Sequence, residues 1–161
     1  MKRLACLAVL MLSLSAAAAA QNAGEIARVQ SGQSCSGCNL FQADLSYRDL
    51  PGVNLSNARL RQASLALATM NRANFSGADL SIADLFGGRF TGASFRNANL
   101  ENANLVGAYF GSADFSGARL SGAILSGAEM ERVRGLTQTQ LDGACGDGAT
   151  QLPRGLRIPV C

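Results

Sequence analysis

Outside the first twenty residues the chain carries four cysteines, Cys35, Cys38, Cys145 and Cys161. Their types and spacing offer more chemistry than any other residues present. Cys35-Ser36-Gly37-Cys38 has the spacing of a thiol–disulfide exchange pair, of half a zinc site, or of a structural disulfide. The chain has no His, and the two cysteine pairs lie at opposite ends of the sequence, which excludes a four-ligand zinc site. No βαβ pattern surrounds the C-x-x-C unit, as a thioredoxin-like site needs, so structure is favoured over redox catalysis. Other catalytic constellations are missing. Beyond residue 20 there is no Lys, no G-x-S-x-G and no phosphate loop. No enzyme, cofactor or metal is expected.

The elements that would hold these cysteines are set by a repeat. Every fifth residue from Leu40 to Met130 is Leu, Phe or Met, nineteen positions in succession. Two residues earlier stands Ala in fifteen of the nineteen, with Cys38, Arg48, Val53 and Gly88 as the exceptions. A period of five would spiral around an α-helix and alternate faces on a strand. All nineteen side chains share one core only if the chain turns a corner in every unit, as in a stacked β-solenoid. With twenty residues per coil the columns segregate. Leu40, Leu60, Leu80, Leu100 and Leu120 form one, and Leu45, Leu65, Leu85, Leu105 and Leu125 a second. Leu50, Met70, Phe90, Phe110 and Met130 form the third, and Leu55, Phe75, Phe95 and Phe115 the fourth. Like-on-like stacking keeps the core width constant, as close packing requires. A fifteen-residue coil would mix every column.

Units such as Ala43-Asp44-Leu45-Ser46, Ala73-Asn74-Phe75-Ser76-Gly77 and Ala103-Asn104-Leu105 resemble the pentapeptide-repeat family, written A-(D/N)-L-x-x. The resemblance implies an all-β solenoid, a right-handed quadrilateral β-helix of about five coils with short helical caps. The centre and its preceding Ala would face inward, and the other positions outward or into the corner. The Ser34-Cys35-Ser36-Gly37-Cys38-Asn39-Leu40 opening and the Gly135–Asp147 tail look like those of exported bacterial members.

The expected organisation is a signal peptide over 1–20, an N-terminal cap over 21–37, the repeats over 38–132, and a C-terminal cap with a disulfide over 133–161. Met1-Lys2-Arg3, the apolar run Leu4 to Leu14 and Ala16 to Ala20 form an n-region, an h-region and a small-residue cleavage site. Cleavage after Ala20 makes the protein periplasmic or extracellular; the alternative is a short membrane anchor. Removing Lys2 and Arg3 from fourteen bases leaves twelve, all Arg, against eleven acids. A net charge of +1 is neither a nucleic-acid footprint nor an acidic surface. An exported chain with four remaining cysteines reads as two disulfides. About five coils at ~4.8 Å separate the ends by roughly 24 Å, so Cys35 pairs with Cys38 and Cys145 with Cys161.

In the N-terminal cap, Asn22 is read as a helix N-cap with Glu25 reaching back to it, and Ile26 and Val29 on the first coil. Thr137-Gln138-Thr139-Gln140 is a capping box for a short helix that carries Leu141 and stops near Gly143. A strand is expected around Leu156 to Ile158. Arg48 and Val53 are expected to distort the first coil around Leu50-Pro51-Gly52, with Arg48 near the open end beside Asp44 or Asp49. Gly88 would make room for Phe86 and Phe90, and Arg59 would pair with Asp79. Phe86 and Val106 stack on one outer side, with Ile124 nearby and Leu67 at its corner. These four are a candidate partner patch, although scattered exposed apolar residues are ordinary.

The function expected is therefore a non-enzymatic exported scaffold or interaction module. A protein partner is envisaged, with no nucleic acid and no membrane contact after cleavage; homo-oligomerisation stays open. The alternative implied by the resemblance is a DNA-mimicking, topoisomerase-protecting protein, which needs an acidic, cytosolic surface.

Overall fold

The computed structural model describes residues 21–161; the expected signal peptide lies outside them. From Asn39 onward each residue before a core centre bridges in parallel to the residue twenty positions later: Asn39 to Arg59, Asp44 to Ser64, Asp49 to Thr69, and so on to Asp114 with Arg134. A turn follows every centre. Four rows of turns thus divide the stack into four sides, named here by the centres Leu40, Leu45, Leu50 and Leu55. All nineteen centres are buried. Phe75, Phe95 and Phe115 stack at 5.0 Å between ring centroids, and Phe90 stacks on Phe110 at 5.4 Å. Edge contacts of 5.2–6.1 Å join the two aromatic columns, a geometry the ring quadrupoles favour.

The corners explain the repeat's polar slot. At nine units the Asp or Asn before the centre accepts, through Oδ1, the backbone N–H two residues on, at 2.9–3.3 Å. That Asx turn bends the chain locally. The residue after it is left-handed at every corner from Gly37 to Gly127. Glycine supplies this conformation at some corners. Ten others hold a side chain there, Leu67 and Ile82 among them, with φ of 54–59°.

The irregular units perturb the stack little. The register runs through Leu50-Pro51-Gly52 without a break, with Asp49 bridged to Thr69 and Asn54 to Asn74, so the expected distortion does not occur. Val53 fits inside. Arg48 is exposed and its charge acts on Asp44. Gly88 clears the Phe90 ring alone, since a Cβ there would meet Phe90 at 2.6 Å, whereas Phe86 points outward. The Arg59 guanidinium leans over the Phe41 ring one coil above, 5.3 Å from its centroid.

Two helices close the ends. In α1 (Ala23–Gln30) Asn22 caps the N-terminus by accepting from the Glu25 N–H at 3.2 Å. Glu25 does not reach back; its carboxylate accepts from the Asn39 N–H at 2.6 Å, a top-ladder amide. Val29 is buried and Ile26 packs on the core. In α2 (Gln138–Asp142) the capping box of Thr137 and Gln140 is complete. The Gln140 amide also donates to the Phe115 and Ala118 carbonyls, both at 2.8 Å; the Ala118 carbonyl is a bottom-ladder acceptor, and the Phe115 carbonyl also takes the Ala118 N–H. Leu141 is buried. The tail continues the ladder, with Cys145 under Ile124 and Gln151 under Glu129. No strand forms over 156–158; the tail's last pairing is Val160 with Gly146.

Candidate functional site: one outer side of the solenoid

The cysteines are structural in their surroundings. Cys35 is bonded to Cys38, with Cα atoms 5.5 Å apart. The Cys35 N–H donates to the Asn54 carbonyl, as each centre donates one coil down. Cys35 therefore fills a core-centre slot and Cys38 an Ala slot, both buried, and the repeat begins one unit earlier than its sequence pattern. Cys145 is bonded to Cys161 across a separation of 16 residues, with Cα atoms 4.9 Å apart. This second disulfide closes the foot of the Leu45 side, where Cys161 lies exposed within 3.8 Å of the Ser126 hydroxyl.

The outward positions of that side are distinctive. Its inner row runs Asp44, Ser64, Asp84, Asn104 and Ile124, and its outer row Ser46, Ala66, Phe86, Val106 and Ser126. Tyr47 and Leu67 stand on one bordering corner and Ile82 on the other. The exposed large hydrophobic residues among those described are Tyr47, Leu67, Ile82, Phe86, Ile124 and Val160. All six lie on the Leu45 side, its two corners or its foot. The sequence patch of Leu67, Phe86, Val106 and Ile124 is thus brought onto one side, with Val106 half-buried. Tyr47, Ile82 and Val160 were missed. The coil register could have found the first two, because both fall at corners of the same column; Val160 is placed by the disulfide fold-back.

The same side carries carboxylates and no guanidinium. Asp84 is held by the Phe86 N–H at 3.1 Å and the Asn104 amide at 2.9 Å. Asp44 accepts from the Ser46 hydroxyl and N–H, and these bonds, with Arg48 nearby, hold its carboxyl below the usual value of 3.8. The Arg residues beyond residue 20 lie on the other three sides, their corners or the caps. The ion pairs among the described residues, Arg96 with Asp114 and Arg119 with Glu101, are also elsewhere. On the neighbouring Leu50 side and its far corner, Pro51, Gly52, Asn71, Arg72 and Thr91 line a dent that pairs no nucleophile with a base. Among the described residues no three His, Cys, Asp or Glu cluster as metal ligands, and no helix is long and apolar enough to cross a membrane.

The profile of the pentapeptide repeats family matches residues 38–77, 54–92 and 93–134, with eight copies. The chain belongs to the pentapeptide-repeat family. Its β-helix is accordingly the family's right-handed one. Among solved structures it is similar to HetL, a pentapeptide-repeat protein involved in heterocyst differentiation regulation in a Nostoc cyanobacterium. The two are 37% identical with a TM-score of 0.60, over 63% of this chain and 48% of HetL. The chain thus spans about half the length of that relative. A second Nostoc pentapeptide-repeat protein is 24% identical over 85% of this chain and 88% of its own, with a TM-score of 0.52, a likeness of fold alone. No curated protein matches the chain.

Proposed function

We propose that this pentapeptide-repeat protein is an exported, non-enzymatic scaffold whose Leu45 side binds a protein partner. One observation carries the reading: every exposed large hydrophobic among the described residues lies on one of four otherwise equivalent sides, at its two corners or at its foot. The repeat makes all four sides the same in backbone, so an even scatter is the outcome expected without selection. Export is supported by the pattern of residues 1–20 and by two disulfides. The DNA-mimic alternative draws no support from charge, because twelve Arg stand against eleven acids beyond residue 20.

The test compares Leu67→Asp with Phe86→Asp in one variant, and Asn71→Asp with Thr91→Asp in another, each purified from its native host with whatever it binds. Both should melt within about 2 °C of wild type: Leu67 and Phe86 are exposed, and in the half-buried control pair Asn71→Asp keeps the oxygen that accepts the Thr91 N–H at 2.9 Å. Loss of the complex by the first variant alone is expected. Loss by both, or by neither, refutes the docking side. N-terminal sequencing of the processed protein should begin at Gln21; retention of Met1 refutes export.

A further inference from the structure

We propose that the occupant of the Leu45 side is a cationic amphipathic α-helix of the partner protein, laid obliquely across that side as it climbs the solenoid. This rests on the reading above and adds the chemistry of what docks.

The first argument is spacing. Tyr47, Leu67, Phe86, Val106 and Ile124 provide one apolar side chain per coil, rising about 4.8 Å each time. The five form a stripe about 19 Å tall that drifts across the side, from the Tyr47 corner to the inner row. A helix turn advances 5.4 Å and presents one apolar residue per turn on such a stripe. The mismatch is about 0.6 Å per turn, roughly 2 Å over the whole contact, within reach of flexible side chains. An extended strand repeats on one face every ~6.6 Å and falls out of step after two coils. Helix-in-groove recognition uses this one-per-turn row of anchors.

The second argument is charge. Asp44 and Asp84 border the stripe, are held in place by their Asx bonds, and join no ion pair among the described residues. Arg48, just beyond the Tyr47 corner, acts on Asp44; the other Arg residues beyond residue 20 stand on other sides, corners or caps. A second copy of the chain would set these carboxylates against their equivalents, a like-charge contact that disfavours association. An anionic membrane surface would be repelled in the same way. A helix with Lys or Arg beside its apolar row meets both requirements.

The third observation is backbone strain. Among the ten non-glycine left-handed corners, the large apolar residues are Tyr47, Leu67 and Ile82, and all three border this side. Left-handed backbone is disfavoured for a non-glycine residue. The other seven are polar or charged, Asn57, Asn97, Asn102, Gln42, Gln62, Arg72 and Ser112, so these three alone place an apolar side chain at a strained corner in water. Strain retained where it presents apolar surface to water fits a binding role.

The probe is a synthetic helix of about 16 residues, long enough to cover the stripe, with Leu on the apolar row and Lys beside it. Its controls replace Lys by Glu, or scramble the same Leu and Lys. Affinity for the intact, disulfide-bonded protein is measured with amide shifts to locate the contact. The Leu/Lys helix should bind the Leu45 side at least about tenfold more tightly than either control, and more weakly as salt rises. Asp44→Asn with Asp84→Asn, which keeps both Asx bonds, should weaken it about tenfold; Phe86→Ser should do the same. Glu131→Gln, an acid removed from the Leu50 side, should change it less than about twofold. Equal binding by a control helix, an equal effect of Glu131→Gln, a dimer dissociated by Phe86→Ser, or capture of anionic vesicles by this side overturns the proposal. If no helix binds while Leu67→Asp with Phe86→Asp still loses its complex, the helix chemistry is wrong and the docking side stands.

Discussion

Single residues in this protein act through position within the five-residue unit. Phe95 is held between Phe75 and Phe115 at 5.0 Å on each side. Phe95→Ala would leave a cavity walled by two occupied layers, and should cost about 3–5 kcal/mol in denaturant unfolding; a loss below 1 kcal/mol contradicts the stack. Ile82 is the reverse case. Its side chain is exposed and its φ is 59°, so Ile82→Asn should raise stability by about 1 kcal/mol, as Asn tolerates the left-handed corner. Destabilisation by the same amount would show that Ile82 packs rather than strains. Asp114 gives a pH dependence. Its hydrogen bonds from Ser116, aided by Arg96, hold its carboxyl below 3.8. A lowered folded value means the unfolded chain takes up protons first. The stability it contributes is therefore present above 3.8 and is lost as pH falls below that through the lowered value. Asp114→Asn keeps the turn acceptor, so the variant's stability should fall less steeply below pH 3.8. An unchanged acid limb contradicts the assignment.

At the scale of elements, the caps and disulfides protect the two ends of the ladder. The Cys35–Cys38 bond is buried, whereas Cys161 is exposed at the foot of the stack. Mild reductant with an alkylating label should mark Cys145 and Cys161 well before Cys35 and Cys38. Opening that loop of separation 16 should loosen the tail by about 3 kcal/mol in the chain-entropy view. Simultaneous labelling of all four would show that the ends open together. The elements were unevenly legible in the sequence. The core columns and both helix starts could be read because apolar period and capping residues act locally. Glu25 was misread because its carboxylate serves Asn39, fourteen residues away, and no local motif announces such a contact. The strand expected near Leu156 failed for a related reason. Val160 pairs with Gly146 because the disulfide brings the tail back, and hydropathy does not encode that fold-back.

For the whole molecule, the repeat makes four sides alike in backbone and leaves only the outward residues to tell them apart. The candidate patch of Leu67, Phe86, Val106 and Ile124 was legible once residues were assigned to columns. The same register reaches Tyr47 and Ile82, which fall at the side's corners as Leu67 does, but not Val160, which the disulfide fold-back places at the foot. The central claim is that one side of the four docks a partner. Ser81, Phe86, Thr91 and Arg96 occupy the same unit position on four successive sides. A photo-crosslinking residue placed at each in turn, in the full-length protein in its native host, reads all four sides in one measurement. The account predicts one discrete adduct from position 86 and none from 81, 91 or 96. Adducts of equal yield from all four, or from another side alone, contradict it.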